Sequence, residues 1–543
     1  MRSKDKKLTS VRLHPELFNK FKTRCITEDF TFQKLAERSI FLYLTDEDFK
    51  AKVKDRKNQN RLMKDKFRYL PKEERKKILL LSDDIRLHSG VGTMAREIVI
   101  NSAHHFNWVN LGGAVKHNEE GKAFDISQDV NKHAGIEDAD VKIIPSSGYG
   151  DAMKIRQLIK MEKPDALFLF TDPRYWVWLF EIEREIRSKI PIFYLNIWDD
   201  YPAPLYNKNY YNSVDVLLAI SKQTKNINEI VLGEYADDKI IEYVPHGINE
   251  KFFFPIDESF EQYEEYQNFR KNIFGDKEIE FVAFYNSRNI RRKSPGDVIL
   301  AYRNFCDRIG KEKAKKCALI MHTAPVDNNG TDLYAVKEAF CDPEYVNVFF
   351  SREKLASEQM NLLYNIADVN VLISSNEGWG LSLTEAMMTG TMIIANATGG
   401  MQDQMRFAKD GKWIDFTPEF PSNHLGSVKE HGEWAVPVFP SNRSLVGSPP
   451  TPYIFDDRCS IEDVGAALEF TYNLGPEERK KRGIAGREWA RSEEAGFTAI
   501  KMANRVIEYC DRGFEEFIPR PRYEIHKAVD RPRKYITHNL FGY

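Results

Sequence analysis

The sequence predicts an α/β protein in which two doubly wound parallel-sheet domains follow one another, preceded by a small separate unit. Short apolar runs alternate with helix-like stretches from Lys77 onward, a pattern typical of a parallel sheet with helices on both faces. The alternation stops in a polar, acidic stretch near residues 255–275 and then restarts. At 543 residues, the chain also exceeds what one compact core can hold, so several domains are expected.

The first doubly wound domain is expected at residues 77–255 and the second at 256–505. A ligand of such a pair is expected in the cleft between the sheets, at the carboxyl ends of the strands. The apolar runs that suit buried strands are KILLLS, DALFLF, PIFYLNIW, VDVLLAIS and IIEYVPHG in the first domain, and EFVAFY, CALIMHT, VNVFF, DVNVLISS and TMIIAN in the second.

A long segment rich in Gly, Pro and Ser, residues 399–460, is interpreted as an insertion in the second domain. Loops of this length are usually functional or disordered. Embedded aromatic rings such as Trp434 and Phe455 favour a packed surface element. Helical stretches follow, and residues 506–543 are expected to form a C-terminal helix and a basic tail that return toward the first domain.

The small unit at residues 1–48 combines the alternating stretch LTSVRL with two helical stretches. It is too short to bury a core alone, so we expect it to pair with a second copy and make the protein a homo-oligomer. The order strand, helix, helix resembles the ribbon-helix-helix fold, whose members dimerise through the strand and usually lay it in the DNA major groove. The resemblance implies that Ser10 and Arg12 face the groove. The alternative is a unit that only dimerises.

Charge is distributed unevenly along the chain. Residues 1–77 hold 23 Lys and Arg against 12 Asp and Glu, a net charge of +11, whereas the remainder carries −13. Within this part, residues 49–76 form a basic linker with 12 basic against 4 acidic side chains. Such a run is either a solvated linker or a segment that follows the phosphates of a nucleic acid, and the composition leaves both open.

The stretch SSNEGWGLSLTEAMMTG places two glutamates, Glu377 and Glu385, around a glycine-rich turn between a buried strand and a helix. A helix start offers free backbone N–H groups and partial positive charge, which suit a diphosphate. A carboxylate instead accepts hydrogen bonds from neighbouring sugar hydroxyls, so one acid on each side suits a nucleotide sugar. The residues expected to approach the donor here are Gly378, Gly380, Leu381, Ser382 and Glu385.

A purely structural alternative exists for the same residues. Ser382 and Glu385 have the spacing of a capping box, in which the glutamate only closes the helix end. Spacing alone leaves the two interpretations equal.

Glu377 through Glu385, EGWGLSLTE followed by AMMTGTMIIAN, resembles the signature of the family 4 glycosyltransferases, which have the two-domain GT-B fold. The resemblance implies that Glu377 lies by the donor sugar and Glu385 holds the nucleotide ribose. It extends over roughly residues 77–510.

Three further stretches resemble that family. YNSRNIRRKSP contains Arg288 and Lys293, which the resemblance assigns to the donor diphosphate. VPHGINEKFFFP resembles the interdomain crossing, with His246 where asparagine is more frequent. SGVGT resembles the first domain's glycine loop, whose Gly90 and Gly92 would face the phosphate across the cleft.

One departure concerns the first domain. Many family members carry a histidine near the reaction centre, and here the corresponding stretch, LNIWDDYP, offers Asp199, which we expect to take the polar role. The family works without a metal, so no metal and no cofactor is expected beyond the co-substrate, a nucleotide-diphosphate sugar expected to be UDP-linked. The implied chemistry is transfer with retention at the anomeric carbon.

The acceptor is expected to be a hydroxyl group. A ribbon-helix-helix unit and a basic linker fused to such an enzyme favour DNA with a hydroxymethylated base, as in viruses that glycosylate hydroxymethylcytosine. The alternatives are a cytoplasmic enzyme acting on glycan, lipid or protein, and a catalytically idle sensor with a DNA-binding head. No apolar run approaches the roughly 18 residues that span a bilayer, so no membrane partner and a cytoplasmic location, in the host if the protein is viral, are expected.

Overall fold

The computed structural model describes residues 31–46, 50, 69–261, 263–417 and 426–523. The chain divides into two compact units, residues 1–69 and 70–543. The described part of the first unit contains helix α1 (Phe32–Thr45), whose N-cap residue, Thr31, accepts a side-chain hydrogen bond from the Lys34 amide. Ser10, Arg12 and the predicted strand lie outside the described residues.

The first sheet of the larger unit has eight strands in the order β3-β4-β2-β1-β5-β6-β7-β8. All neighbouring pairs are parallel except β3 with β4. The strands are β1 (Lys76–Asp83), β2 (Phe106–Gly113), β3 (Phe124–Asp125), β4 (Val141–Pro145), β5 (Ala166–Phe170), β6 (Ile192–Asn196), β7 (Val216–Ala219) and β8 (Ile240–Tyr243).

Helices cover this sheet on both faces. Because strands such as β1 and β5 are buried on both sides, they read as continuous apolar runs. The helices are α2 (Gly90–Ser102), α3 (Ser127–Ala134), α4 (Ala152–Glu162), α5 (Val177–Phe180), α6 (Glu183–Arg187), α7 (Lys208–Asn212) and α8 (Lys222–Leu232).

The second sheet has six parallel strands in the order β11-β10-β9-β12-β13-β16. This is the doubly wound order, and its crevice lies at the carboxyl ends of β9 and β12, where the strand order reverses. The predicted α/β fold with two parallel sheets is confirmed. The strands are β9 (Phe281–Asn286), β10 (Cys317–His322), β11 (Val348–Ser351), β12 (Val369–Leu372), β13 (Met392–Asn396), β14 (Ala408–Lys409), β15 (Lys412–Trp413), β16 (Ala435–Val438), β17 (Asn442–Ser448) and β18 (Thr451–Arg458).

The helices that follow the first sheet belong mainly to the second domain. The last of them, α18, lies against the first domain, where a Cβ on Gly513 would be 2.6 Å from Val216 and 2.7 Å from Phe193. The helices are α9 (Tyr263–Phe274), α10 (Pro295–Ile309), α11 (Lys311–Ala314), α12 (Leu333–Phe340), α13 (Ser357–Ile366), α14 (Leu381–Met388), α15 (Met401–Met405), α16 (Ile461–Asn473), α17 (Gly475–Arg491) and α18 (Ala499–Glu516).

Sequence reasoning did not find β2, β3, β4 and β16 of the two sheets, nor the hairpins β14–β15 and β17–β18. Strand β2 escapes a search for apolar runs because its sequence, FNWVNLGG, contains two asparagines. Asn110 is nonetheless fully buried, since its side-chain amide donates to the Ser82 hydroxyl (3.1 Å) and its side-chain oxygen accepts from the Ile85 amide (3.2 Å). Hydrogen bonding to a neighbouring strand removes the penalty of burying the amide.

The segment 399–460 is more than a surface insertion. It contains α15 and the sixth strand of the second sheet, β16, which pairs in parallel with β13. Trp434 and Met405 are buried in the core. After β16 comes the antiparallel hairpin β17–β18. The polar composition of residues 399–460 hides these elements in the sequence. They are also short and separated by turns, so no long apolar run marks them.

No helix in the described part of the chain is both long enough and apolar enough to cross a membrane.

Candidate functional site

Helix α14 begins at the carboxyl end of β12, after the turn that contains Glu377. Its N-cap is Gly380, in the left-handed conformation with φ of 90°, and no side chain in the described part of the chain caps the helix. Ser382 therefore lies inside the first turn and cannot act as the N-cap. The capping-box interpretation is wrong for this reason, and the first N–H groups of α14 are left uncapped by any side chain.

Glu385 is held by two donors from other elements of the second domain. Its Oε2 accepts hydrogen bonds from the Tyr364 hydroxyl (2.5 Å) and from the Asn286 side-chain amide (3.4 Å). Burial raises the pKa of Glu385, although both donors oppose that shift. No hydrogen bond from the described residues reaches Oε1, so this oxygen can accept from a ligand.

Glu377 is paired with two cations from one short 3₁₀ turn, Arg291–Lys293. Its Oε2 accepts from Lys293 Nζ and from Arg292 Nη1, the latter at 2.9 Å. Burial alone would raise the pKa of Glu377, but the charges of Lys293 and Arg292 hold it below its ordinary value. Burial lowers the pKa of Lys293 to about 8, against the opposing effect of Glu377.

Arg288, which the resemblance assigns to the diphosphate, is bonded to a different carboxylate from Lys293. Its Nε donates to Asp327 Oδ2 at 3.1 Å, and 64% of its side-chain surface is exposed. The arginine that the structure brings to Glu377 is Arg292 instead. Sequence reasoning missed it because two adjacent arginines before a lysine carry no spacing signal of their own.

The glycine loop of the first domain faces the start of α14. Ser89 is the N-cap of α2, and its Oγ accepts from the Gly92 amide at 3.0 Å. A Cβ on Gly92 would be 2.8 Å from the Leu87 carbonyl oxygen, so only glycine fits this turn. A Cβ on Gly90 would be 3.6 Å from Leu381 Cδ1, which places this loop across the cleft from α14.

Asp199 also lies at the boundary between the domains. A Cβ on Gly378 would be 2.9 Å from the Ile197 carbonyl oxygen and 3.8 Å from Asp199 Cβ. Burial raises the pKa of Asp199, and the nearby charge of Arg292 opposes this shift. The structure therefore brings Asp199 close to the group formed by Glu377 and Arg292.

The hairpin β17–β18 connects this site to the first domain. The Asp457 amide donates to the Ser375 carbonyl oxygen (3.0 Å), and the Ser375 hydroxyl donates to Asp456 Oδ1 (3.1 Å). On the other side, the Phe455 amide donates to the Tyr201 carbonyl oxygen (2.8 Å). The hairpin thus fixes the turn before Glu377 while contacting the loop that follows Asp199.

Comparison with known proteins agrees with this architecture. Residues 270–420 match the family model described as glycosyl transferases group 1, and this segment contains Lys293, Glu377 and Glu385. The chain is a glycosyltransferase. A search of curated protein sequences found no match to the chain.

Solved structures similar to this glycosyltransferase share its fold at low sequence identity. A glycosyltransferase from Rickettsia africae has a TM-score of 0.54 at 15% identity, covering 82% of this chain and 100% of its own. Sucrose-phosphate synthase from Thermosynechococcus elongatus has a TM-score of 0.55 at 15% identity, covering 81% and 100%. Anabaena HepE, solved with UDP and glucose, has a TM-score of 0.53 at 13% identity, covering 80% and 100%. These likenesses show the GT-B fold.

The described residues of the glycosyltransferase contain no group of three or more His, Cys, Asp or Glu side chains arranged to hold a metal ion. The expectation that the enzyme needs neither metal nor cofactor stays a prediction.

We expect the glycosyltransferase to lose stability in acid because of His246, which lies between the rings of Phe170 and Trp379 and is 6% exposed. Its Nδ1 has no hydrogen-bond partner among the described residues, and burial lowers its pKa to about 3. A depressed folded-state pKa contributes stability above the ordinary value of 6.5, and this contribution is lost as the pH falls toward 3. Between pH 7 and pH 5 the loss is about 2 kcal/mol.

Urea unfolding of wild type and His246→Asn at both pH values measures this effect. The variant should lose about 2 kcal/mol less than wild type on acidification, because asparagine does not titrate. Equal losses in the two proteins would show that His246 is not the group responsible.

We expect Gly378→Ala to weaken both stability and donor binding. The new Cβ would lie 2.8 Å from Ile220 Cδ1 as well as 2.9 Å from the Ile197 carbonyl oxygen, so the first domain must move away from the donor loop. Overpacking of this kind costs about 1–3 kcal/mol. The control is Gly296→Ala, whose Cβ would be 3.9 Å from Thr331 Cγ2. Unfolding midpoints and donor KM measure the two effects, and equal values for the two variants would contradict the steric argument.

Proposed function

We propose that the chain is a retaining glycosyltransferase that uses a nucleotide-diphosphate sugar, UDP-linked, as its donor. One observation carries the proposal: Glu377 and Glu385 lie on either side of the uncapped start of α14, with Lys293 at Glu377. Carboxylates at both ends can accept hydroxyl hydrogen bonds from the donor sugar and the ribose. The helix start and the cation at Glu377 suit the diphosphate.

Each residue of the site then has a role in donor binding. Glu385 accepts from the ribose hydroxyls and Glu377 from the donor sugar, while Lys293 binds the diphosphate together with an arginine, the role that the resemblance to the family gives to Arg288. The backbone at the start of α14 and the glycine loop of the first domain enclose the phosphates from two sides. The backbone residues concerned are Gly90, Gly92, Gly378, Gly380, Leu381 and Ser382.

The reaction breaks the bond between the anomeric carbon and the diphosphate oxygen and forms a bond from that carbon to the acceptor oxygen on the same face. The acceptor's proton passes to the departing diphosphate. Lys293 and the N–H groups of α14 stabilise the negative charge that grows on the leaving oxygen, where electrostatic stabilisation contributes most. Asp199 accepts a hydrogen bond from the acceptor hydroxyl and orients it.

The proposed acceptor is a hydroxymethylated base in viral DNA, modified in the host cytoplasm. The net charge of +11 on residues 1–77 supports this choice, because lysine and arginine neutralise phosphates without regard to sequence. By the resemblance of residues 1–48 to the ribbon-helix-helix fold, Ser10 and Arg12 would contact DNA and two copies of the unit would pair. The target base has to leave the stack to reach the cleft.

A second candidate acceptor is the hydroxyl of a glycan. It is favoured by the first-domain side of the cleft, where Asp199 and Asp200 stand next to each other and Asp200 is buried. Carboxylates accept hydrogen bonds from sugar hydroxyls but repel phosphate.

Transfer assays with labelled UDP-sugars distinguish these acceptors. The acceptors are single-stranded and duplex DNA with and without hydroxymethylcytosine, and soluble oligosaccharides. The DNA proposal expects label only on hydroxymethylated DNA, and activity that falls as salt rises. Label on oligosaccharide alone would overturn it in favour of the glycan candidate. Binding of both DNA and UDP-sugar without transfer would identify an idle sensor.

A full-length variant tests whether the basic linker, residues 49–76, binds DNA. Replacing the lysines and arginines of residues 50–68 with glutamine should weaken DNA binding and flatten its salt dependence, while the affinity for UDP stays unchanged. Unchanged DNA affinity in this variant would leave the segment as a plain linker.

A further inference from the structure

We propose that Arg292 is the arginine that binds the donor diphosphate in this chain, in the role that the resemblance to the family gives to Arg288. The inference rests on the proposed function, since it concerns the diphosphate of the nucleotide-sugar donor. It adds a substrate-contacting residue that the resemblance to the family does not assign.

Arg292 is fixed by bonds from both its backbone and its side chain. Its carbonyl oxygen accepts from the Ser375 amide at 2.8 Å, which joins the 3₁₀ turn to the loop before Glu377. Its Nη1 donates to the Asn376 carbonyl oxygen (2.8 Å) and to Glu377 Oε2 (2.9 Å). The guanidinium is therefore positioned before a donor arrives.

The rest of the guanidinium is available for a ligand. Nε and Nη2 make no hydrogen bonds to the described residues, and 39% of the side-chain surface is exposed. An arginine offers five N–H donors in a planar fork that matches two phosphate oxygens. Arg292 can keep its Nη1 bonds and present Nε and Nη2 to the diphosphate. Lys293 is only 10% exposed and acts as a single point charge beside it.

The carboxylates around Arg292 come from both domains. Glu377 bonds to Lys293 and Arg292 in the second domain, and Asp199 and Asp200 of the first domain interact electrostatically with Arg292. It is the free, exposed N–H groups of Arg292, rather than an excess of positive charge, that can bind a diphosphate.

Arg288 lacks these features. Its bonded partner is Asp327 on the second domain, and no hydrogen bond in the described residues ties it to Glu377. Most of its surface faces solvent, where an ion pair is worth little and fixes the side chain weakly.

Calorimetric titration of UDP and UMP into the full-length protein tests the proposal, since the two ligands differ by one phosphate. Wild type should bind UDP more tightly than UMP. Arg292→Gln should reduce UDP affinity about 10- to 100-fold, the loss expected for charge-assisted hydrogen bonds, and leave UMP affinity within about threefold. Arg288→Gln is the matched control and should keep the ratio of UDP to UMP affinity. Arg292→Lys, which keeps charge but not the fork, should give an intermediate ratio.

Three results would overturn the proposal. Arg292→Gln could leave both affinities at their wild-type values, or the ratio of UDP to UMP affinity could collapse in Arg288→Gln instead. Arg292→Gln could also weaken UDP and UMP equally, which would show that Arg292 only supports the loop carrying Glu377. If the wild-type protein bound neither UDP nor UMP, the proposed function itself would be refuted. This result is distinct from the other outcomes because it is seen without any variant.

Discussion

Lys293→Gln should lower kcat for sugar transfer by about 10²- to 10³-fold, the loss typical of removing one donor that stabilises a growing negative charge. Lys293 is buried beside Glu377 and cannot be replaced by solvent cations. The affinity for UMP should change little, because the ribose is assigned to Glu385. Steady-state kinetics with a UDP-sugar donor and calorimetry with UMP measure the two quantities.

The dependence of kcat/KM on pH provides a second test of the role of Lys293. Since burial lowers the pKa of Lys293 to about 8, the charged form that binds diphosphate predominates below that pH and disappears above it. The kcat/KM for the donor should therefore be flat below about pH 8 and fall about tenfold per pH unit above it. In Lys293→Arg the alkaline decline should move to higher pH, because arginine keeps its charge.

Lys354→Gln provides the matched control, since Lys354 is exposed. It should retain wild-type kcat and the wild-type pH profile. If Lys293→Gln kept more than about a third of wild-type kcat, Lys293 would have no role in stabilising the leaving group.

Glu385→Ala should raise the KM for the donor by about 100-fold or more. The buried carboxylate is assigned two hydroxyl hydrogen bonds from the ribose, and each bond to a charged group contributes about 1.5–3 kcal/mol. UDP and UMP affinity should fall by a similar factor, because both nucleotides carry the ribose. This shared loss separates Glu385 from Arg292, whose removal should affect UDP alone.

Two further variants sharpen the Glu385 prediction. Tyr364→Phe removes the 2.5 Å hydrogen bond to Oε2 and should cost only about 3- to 10-fold, since the carboxylate remains. Glu358→Gln, at an exposed position on α13, should behave as wild type. Undiminished nucleotide affinity in Glu385→Ala would show that the ribose lies elsewhere.

The sequence was a good guide to strands that are buried on both faces. KILLLS and DALFLF became β1 and β5 because a parallel strand covered on both sides needs apolar residues at every position. The same rule failed for β2, where Asn110 is buried but satisfied by β1. A single-sequence pattern cannot show which polar side chains will find such partners.

The candidate site was also only partly predictable from the sequence. Glycines, a helix start and two glutamates stand close together in sequence, so their grouping was predictable from residues 374–390. Which cation meets Glu377 was not predictable. The 3₁₀ turn and the bond from Ser375 to Arg292 rotate Arg292 toward Glu377 and leave Arg288 beside Asp327.

The sequence by itself determined the strands that are apolar on both faces, the two-sheet architecture and the glycine-rich start of α14, because each depends on local periodicity and turn chemistry. Only the tertiary structure decided that Tyr364 holds Glu385, that Gly90 faces Leu381 and that Asp457 fixes Ser375. These contacts join residues far apart in the chain. They depend on how each element is rotated and placed against the others, which periodicity within one element does not encode.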